Sequence, residues 1–310
     1  MNPLHRAVED YIALRRSLGF KLRDYADCLH EFVSFLKARG SSRVTTKLAV
    51  EYATQRQDED RFCWARRLIM IRGFARYRVG ADPRTEIPPV GLLRCRSPRA
   101  KPYLYSADEI RRLLAAARNM KVRYPLQRHT YYCLFGLLAV TGLRLGEAIS
   151  LQPQDVDLSA GVLTVRGAKF GKSRLVPLHP STQAVLRDYA QRRDRFFAGR
   201  PSPYFLMTGR GKKLHKTSLS AIFRALSRQI GIRRPGARRG PRLHDFRHRF
   251  AIQTLLRWYQ SGEEVERRLP VLSTYLGHAH VSGTYWYLGS TPELITAASK
   301  LMETRWKGVA

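Results

Sequence analysis

Residues 242–287 of this 310-residue chain include a set of side chains that could do chemistry: two imidazoles (His244 and His278), a guanidinium (Arg247) and a phenol (Tyr287). His244 and Arg247 are three positions apart, so on a helix they would share a face. A guanidinium beside an imidazole suits a bound phosphate, because it places a fixed pair of donors next to a group that transfers protons. Tyr287 follows His278 by nine positions, and a tyrosine phenol can act as a covalent nucleophile. These residue types favour nucleophilic attack at phosphorus.

Further cationic groups occur upstream in suitable settings. Arg144 lies at a glycine turn that opens a helix, and Glu147, three positions later, is placed to hold it by a charge-assisted hydrogen bond or to form an ordinary surface pair. Lys169 and Lys172 lie in a Gly- and Lys-rich turn between two apolar, strand-like runs. This turn lacks the Gly-x4-Gly-Lys spacing of a P-loop, so it does not indicate ATP use.

In this order, the residues resemble the catalytic set of the tyrosine recombinases, the phage integrase family of site-specific DNA strand-exchange enzymes. The family's set falls on six positions of this chain: Arg144, Lys169, His244, Arg247, His278 and Tyr287. By motif the resemblance covers roughly the last two-thirds of the chain. Tyr285 competes with Tyr287 as the nucleophile, and the resemblance favours Tyr287 because its spacing from His278 fits the family.

The resemblance implies a site-specific recombinase that works through a 3′-phosphotyrosine, in integration, excision or transposition of a mobile element. Tyr287 would attack a backbone phosphate and conserve the bond energy in a covalent link. Arg144 and Arg247 would neutralise the phosphate oxygens as charge builds up, with His278 adding a hydrogen bond. By family position, Lys172 would contact phosphate.

Two proton transfers complete the implied reaction. Lys169 would protonate the departing 5′ oxygen, and His244 would serve the proton of the tyrosine, while Glu147 supports the site. No metal or other cofactor is expected, because guanidinium groups already counter the charge and the sequence shows no carboxylate cluster of the two-metal type.

Two other functions stay open. A type IB topoisomerase-like relaxase would use the same chemistry as a monomer. A DNA-binding accessory protein with a vestigial catalytic set is disfavoured, because every catalytic residue type is present. A separate N-terminal helical domain and a last helix favour recombination by a homo-oligomer on double-stranded DNA, a dimer at each site and a tetramer in synapsis.

The composition indicates a globular protein with a polyanionic partner. The chain has 56 Lys and Arg against 24 Asp and Glu, which gives a net charge of +32. This charge balance is not ordinary. Such an excess favours DNA, because phosphate neutralisation releases counterions. The chain start predicts no secretory signal, and the four scattered cysteines indicate neither a zinc site nor a disulfide framework. A cytoplasmic, nucleoid-associated protein is expected.

The predicted fold is mainly α with a small β-sheet (α+β). Residues 1–80 read as a helical core-binding domain, because apolar residues recur at helical spacing. Residues 81–104 read as a basic, proline-rich linker, since proline density forbids regular helix or central strand. Residues 105–310 read as the catalytic domain with a C-terminal tail helix.

Several local elements are predicted in the catalytic domain. Ser106 and Glu109 form a capping box, and helices are expected over residues 131–140 and from a Thr217 cap. A hairpin is predicted over residues 161–178 and a short strand over 204–207. The apolar stripe after Thr291 would dock on a neighbouring protomer or fold back on its own domain.

Arginines outside the catalytic set favour contacts with the DNA backbone. One group lies on the predicted fourth helix, where cations outnumber nearby acids, and another crowds the Gly- and Pro-rich loop before His244. A solvated surface is the alternative for the helix group. The predicted DNA-binding residues are Arg66, Arg72, Lys172, Arg238, Arg239 and Arg242.

Overall fold

The computed structural model describes residues 3–20, 22–93, 101–166, 173–237, 239–289 and 291–307. The chain folds into two compact units, residues 1–100 and 101–310. Among the helices of the described residues, none is both long enough and apolar enough to cross a membrane.

The first unit contains helices α1 (Pro3–Ser17), α2 (Arg23–Ala38), α3 (Thr46–Thr54) and α4 (Arg61–Arg78). Apolar residues at helical spacing meet in one core that includes Leu4, Phe32 and Phe74. Thr45 caps α3 by accepting a hydrogen bond from the Leu48 amide at 3.3 Å. The helices predicted from periodicity in this region are therefore confirmed.

Residues 79–93 form neither helix nor strand, as their proline content predicts. They nevertheless pack on the first unit. Glu86 accepts a hydrogen bond from the Thr46 amide at 2.8 Å, and Arg72 Nε donates to the Pro88 carbonyl at 2.6 Å. The first half of the predicted linker thus belongs to the helical unit.

The second unit is mostly helical with a small sheet, which confirms the predicted fold class. Its helices are α5 (Ala107–Arg118), α6 (Pro125–Thr141), α7 (Leu145–Ala148), α8 (Pro180–Phe196), α9 (Lys216–Gln229), α10 (Asp245–Gln260), α11 (Val265–Leu276), α12 (Ser282–Tyr285) and α13 (Pro292–Lys307). A 3-10 turn (Pro153–Asp155) leads into the antiparallel sheet, which has the order β1 (Val156–Asp157), β2 (Val162–Val165) and β3 (Arg174–Pro177). The predicted capping box of α5 is present.

Helix α6 runs through the main core of this unit, with Leu134 and Phe135 completely buried. Helices α5, α8 and α10 pack around it. Further along α10, Ile252 and Leu255 join α11 and α13 in a second apolar cluster that includes Tyr287. Both clusters meet along α10, so this helix fixes the ends of α6 and α11 relative to each other.

Two local predictions are wrong. Residues 204–207 do not form a strand, and Met207 makes only an isolated bridge to Lys213. The apolar run reflects side-chain burial in the core instead of strand pairing, since Phe205 and Met207 are buried. Helix α9 begins at Lys216 without a side-chain cap, so Thr217 lies inside its first turn.

The tail helix α13 packs against α10 of its own chain. Leu294 is completely buried in the second cluster, whereas the side chains of Ile295 and Met302 are exposed. The first turns of this helix thus pack on their own chain, and docking on a neighbouring protomer stays a prediction.

Candidate active site

The C-terminal end of α11 is the structural centre of the site. A helix leaves its last carbonyls without partners inside the helix, and this end attracts cations. Three successive carbonyls here accept hydrogen bonds from three different arginines: Tyr275 from Arg174 at 2.6 Å, Leu276 from Arg247 at 2.6 Å and Gly277 from Arg144 at 2.8 Å. The segment that leads to His278 is thus held by guanidinium groups from three separate elements.

Gly277 permits this close approach. It adopts a left-handed conformation with φ of +67°, which ends α11 and favours glycine. A Cβ atom at this position would lie 2.8 Å from Arg174 Nη1 and 3.3 Å from Arg144 Nη1. A side chain here would therefore displace both guanidinium groups.

Arg144 is positioned by the junction between α6 and α7. Gly142 ends α6 with φ of +62°, and Arg144 then forms the N-cap of α7. Glu147 accepts hydrogen bonds from Arg144 Nη1 at 2.8 Å and from the Arg144 amide at 3.0 Å. The predicted hydrogen bond between these two side chains is present.

Glu147 also binds Arg174, which the sequence interpretation did not include. The Arg174 fork donates to both oxygens of this carboxylate, at 3.1 Å from Nη1 and 2.8 Å from Nη2. Burial opposes ionisation of Glu147, but the hydrogen bonds from Arg174 and Arg144 outweigh it and hold the pKa of the carboxyl below its usual value.

Arg247 is only 2% exposed. Its Nη1 donates to the Gly142 carbonyl at 3.0 Å and its Nη2 to the Leu276 carbonyl, so it connects the ends of α6 and α11. Burial, reinforced by the Arg144 charge, lowers the pKa of Arg247 to about 10, while the nearby Tyr287 phenol works in the opposite direction. The guanidinium stays charged at neutral pH.

His278 directly follows the arginine-bound segment. Its Nδ1 lies 2.8 Å from the Thr284 hydroxyl, and its ring lies nearly parallel to that of Tyr287 at a centroid distance of 6.3 Å. Burial, then the charges of Arg247 and Arg144, lowers the pKa of His278 to about 4. The ring is therefore neutral at pH 7.

Tyr287 lies among the site residues, two positions after α12. Its side chain is 2% exposed, whereas that of Tyr285 is 55% exposed. The Tyr287 ring also packs against His248 at 5.6 Å and Trp286 at 5.2 Å. The structure thus brings Tyr287 close to Arg247 and His278, as the choice between the two tyrosines predicts.

His244 forms the N-cap of α10, and its ring contacts that of His248 at 4.8 Å, edge to face. The residue is exposed, yet the surrounding protein, followed by the Arg247 charge, lowers its pKa. His248 is more enclosed: burial, followed by the proximity of His244, lowers its pKa to about 4. Its buried Nδ1 has no hydrogen-bond partner among the described residues.

Arg242 stabilises the start of α10. Its Nη2 donates to Asp245 Oδ1 at 2.8 Å, and Asp245 is completely buried. The hydroxyl of Tyr105 donates to the Arg242 carbonyl at 2.9 Å. Since half of the Arg242 side chain is exposed, a contact with DNA is compatible with this structural role.

The other predicted DNA-binding residues have different surroundings. Arg66 is exposed and pairs with Asp24 at 2.9 Å, and Arg239 is exposed. Arg72 donates to proline carbonyls of residues 88 and 89, which occupies much of its guanidinium. The predicted residues Lys169, Lys172 and Arg238 lie outside the described residues.

The carboxylates of the site are both bound to arginine, Glu147 to Arg144 and Arg174, and Asp245 to Arg242. Within the described ranges, no group of three or more His, Cys, Asp and Glu side chains has an arrangement that could hold a metal ion. The donors that converge here are cations and imidazoles, which suit an anion.

Three residues of the site were not found from the sequence: Arg174, His248 and Thr284. Arg174 stands at the start of β3 in an Arg-Leu-Val-Pro run that resembles an ordinary strand end. His248 directly follows Arg247 in the sequence, and this adjacency is the signal from which its place in the site could have been predicted. No spacing rule connects Thr284 with His278, because their contact depends on the turn between α11 and α12.

The two enclosed histidines predict a dependence of stability on pH. His248 and His278 have folded pKa values of about 4, against about 6.5 in an unfolded chain. Between these values the unfolded chain binds protons that the folded chain does not, so stability should fall as the pH drops from about 6.5 to about 4. Above that window both states are neutral and the slope disappears.

Urea unfolding at pH 7, 6 and 5 measures this effect. His248→Gln should flatten the fall in the free energy of unfolding, whereas the control His280→Gln, at an exposed position, should leave the slope unchanged. Equal slopes in the two variants would contradict the assignment.

Comparisons with known proteins identify related chains. The phage integrase family profile matches residues 104–293. A putative integrase/recombinase, y4rB of Sinorhizobium fredii, is 52% identical over 311 aligned residues, covering 99% of each protein. Every member of the predicted catalytic set lies inside the matched range.

Two solved structures share the fold at low identity. The Tn1549 transposon integrase in complex with transposon right-end DNA has a TM-score of 0.67 at 15% identity, covering 96% of this chain and 98% of that one. A λ integrase tetramer bound to a Holliday junction has a TM-score of 0.60 at 18% identity, covering 90% and 78%. With the profile match and the close relative, these findings show that the chain belongs to the phage integrase family of tyrosine recombinases.

Proposed function

We propose that this chain cleaves and rejoins double-stranded DNA at specific sites, with Tyr287 as the nucleophile. The observation that carries the proposal is the convergence of Arg144, Arg247, His278 and Tyr287 at the end of α11. Such a cluster of cations and neutral imidazoles beside a phenol suits a phosphodiester, which carries negative charge and is an electrophile at phosphorus.

The two arginines bind the phosphate in this proposal. Each guanidinium carries five N–H groups. Arg144 uses some of them for Glu147 and the Gly277 carbonyl, and Arg247 uses some for two carbonyls, so N–H groups of both remain for phosphate oxygens. Because these protein bonds fix the donors beforehand, they stabilise the charge that builds up in the transition state without reorganisation.

The proposed reaction uses the placement of Tyr287, whereas the role of Lys169, which lies outside the described residues, comes from the family resemblance. The Tyr287 oxygen forms a bond to phosphorus while the bond to the 5′ oxygen breaks, leaving a 3′-phosphotyrosine and a 5′ hydroxyl. His244, which its lowered pKa keeps neutral at pH 7, accepts the phenol proton. Lys169 delivers a proton to the 5′ oxygen. When Thr284 donates to His278 Nδ1, the proton of the neutral ring is on Nε2, where it hydrogen-bonds a phosphate oxygen.

The proposed partner is double-stranded DNA carrying specific sites. The net charge of +32 supports strong, salt-dependent binding to the backbone. A dimer at each site and a tetramer in synapsis are part of the proposal, supported by the tetramer in which λ integrase binds a Holliday junction. A DNA substrate would place the protein in the cytoplasm, at the nucleoid.

One observation favours a second candidate, a relaxase that works as a monomer. Leu294 is buried in its own chain, so the start of the tail helix does not need a neighbouring copy. A supercoiled plasmid carrying two target sites, recovered beforehand by selection from a DNA library, separates the candidates. Recombinant circles support the recombinase, whereas relaxation without exchange supports the relaxase.

Cleavage should need no divalent metal, because two guanidinium groups counter the phosphate charge and both site carboxylates are bound to arginine. Covalent complex formation on a nicked duplex should therefore proceed at the same rate in excess EDTA as in magnesium. A strict requirement for added magnesium in the covalent step would overturn this mechanism.

A further inference from the structure

We infer that Arg174 is a positioning residue for Arg144: it holds Glu147, and through it the first phosphate-binding guanidinium, in the geometry that cleavage needs. The inference rests on the proposed function and adds to it a residue outside the six-member catalytic set. Arg174 itself is not proposed to touch the DNA.

The contacts of Arg174 explain why its role is indirect. Its side chain is 9% exposed, and its Nε, Nη1 and Nη2 atoms all donate to protein oxygens. Two of these bonds form a fork on Glu147 and the third reaches the Tyr275 carbonyl. Because each of its three nitrogens donates to a protein oxygen, we assign Arg174 the role of a structural brace.

The brace fixes the carboxylate that orients Arg144. Glu147 Oε1 accepts from both Arg144 Nη1 and Arg174 Nη1, at 2.8 and 3.1 Å, while Oε2 accepts from the Arg144 amide and Arg174 Nη2. Without Arg174 the carboxylate keeps Arg144, through its amide and Nη1, as its single cationic partner among the described residues, and its position is less firmly fixed. Arg144 would then follow Glu147 and move relative to Arg247.

The hydrogen bonds of Arg174 also connect three separate secondary-structure elements. Arg174 belongs to β3, Glu147 to α7, and Tyr275 to the last turn of α11. Gly277 shows how tightly they are assembled, because a Cβ there would meet both Arg174 and Arg144. Strand β3 also follows the segment that contains Lys169, so an alternative route of action through that lysine has to be tested.

The first experiment compares single-turnover cleavage at saturating protein with DNA affinity. Arg174→Ala should slow formation of the covalent complex on the order of 100-fold, as expected when a reacting group is displaced by about 1 Å, with an unchanged Kd for DNA. The matched control is Arg166→Ala, which removes an exposed arginine that follows β2 and pairs with the buried Asp155 of the 3-10 turn, and it should cleave at the parent rate. Arg174→Lys keeps the charge but not the fork, so it should also be slow.

A double-mutant cycle tests the route through Glu147. Once Glu147→Gln has loosened Arg144, adding Arg174→Ala should cost little more, so the two losses should not add. Full additivity of the two losses in cleavage rate would overturn the route through Glu147. So would an Arg174→Ala or Arg174→Lys variant that cleaves at the parent rate and that urea unfolding shows to be folded.

A modified substrate distinguishes an effect of Arg174 through Arg144 from an effect through Lys169. Replacing the bridging 5′ oxygen by sulfur gives a leaving group that departs as a thiolate and needs no proton. This substrate should restore cleavage by Lys169→Ala and leave Arg174→Ala slow. Restoration of Arg174→Ala would show that it acts through Lys169 and overturn the inference. If the parent protein, like Tyr287→Phe, forms no covalent adduct on either substrate, the proposed function fails, and the inference about Arg174 is not what has been contradicted.

Discussion

Arg247→Ala is expected to slow DNA cleavage by at least ~100- to 1000-fold at saturating protein, the usual cost of removing a preorganised donor to developing charge, ~2.7–4 kcal/mol. Arg247 is nearly inaccessible to solvent, and in the proposed reaction it would bind the phosphate from a position fixed by the Gly142 and Leu276 carbonyls. Arg144→Ala should have an effect of similar size, because its guanidinium is held at the same helix end.

The measurement is single-turnover cleavage beside binding titrations over a salt series. Arg66→Ala is the matched control, since Arg66 is exposed and pairs only with the exposed Asp24 among the described residues. It should weaken binding and reduce the salt slope by roughly one unit while leaving the cleavage rate of bound DNA unchanged. Arg72 is a poorer control, because its bonds to proline carbonyls give it a structural role.

Arg247→Ala also leaves two carbonyls without their donor and so threatens folding. Arg247→Lys is the milder variant: it keeps a charge but cannot reproduce the fork between Gly142 and Leu276. A folded Arg247→Lys protein that cleaves at the parent rate would mean that Arg247 is structural, and the phosphate site would have to be placed elsewhere.

Tyr287→Phe is expected to abolish covalent attachment to DNA and to leave DNA binding intact. The substitution removes only the hydroxyl, and the ring stays packed against His248 and Trp286, so the fold should be retained. Tyr285→Phe is the matched control two positions away, at an exposed side chain. A denaturing gel with a nicked suicide substrate shows adduct with the control and none with Tyr287→Phe.

The sequence predicted those parts of the fold that local pattern determines. Helical spacing of apolar residues predicted α1 to α4, and Ser106 with Glu109 predicted the start of α5. The turn at Gly142 and the pairing of Arg144 with Glu147 were also predictable, because they involve residues within one short stretch. The resemblance to a known family supplied the order of the catalytic set.

Contacts between distant segments could not be predicted. Nothing in the spacing of Arg174, Arg247 and Arg144 shows that they meet three successive carbonyls of α11, because the three side chains come from β3, α10 and the start of α7. Residues 204–207 illustrate the opposite error: an apolar run buried by tertiary packing was interpreted as a strand.

The most direct test of the central claim is to identify the residue that carries DNA in the unmodified protein. The covalent complex formed on a nicked duplex is digested with nuclease and protease, and the phosphorylated peptide is sequenced by mass spectrometry. The account predicts a 3′-phosphate linked to Tyr287. A link to Tyr285, or to any residue outside the pocket formed by Arg144, Arg247 and His278, would contradict it.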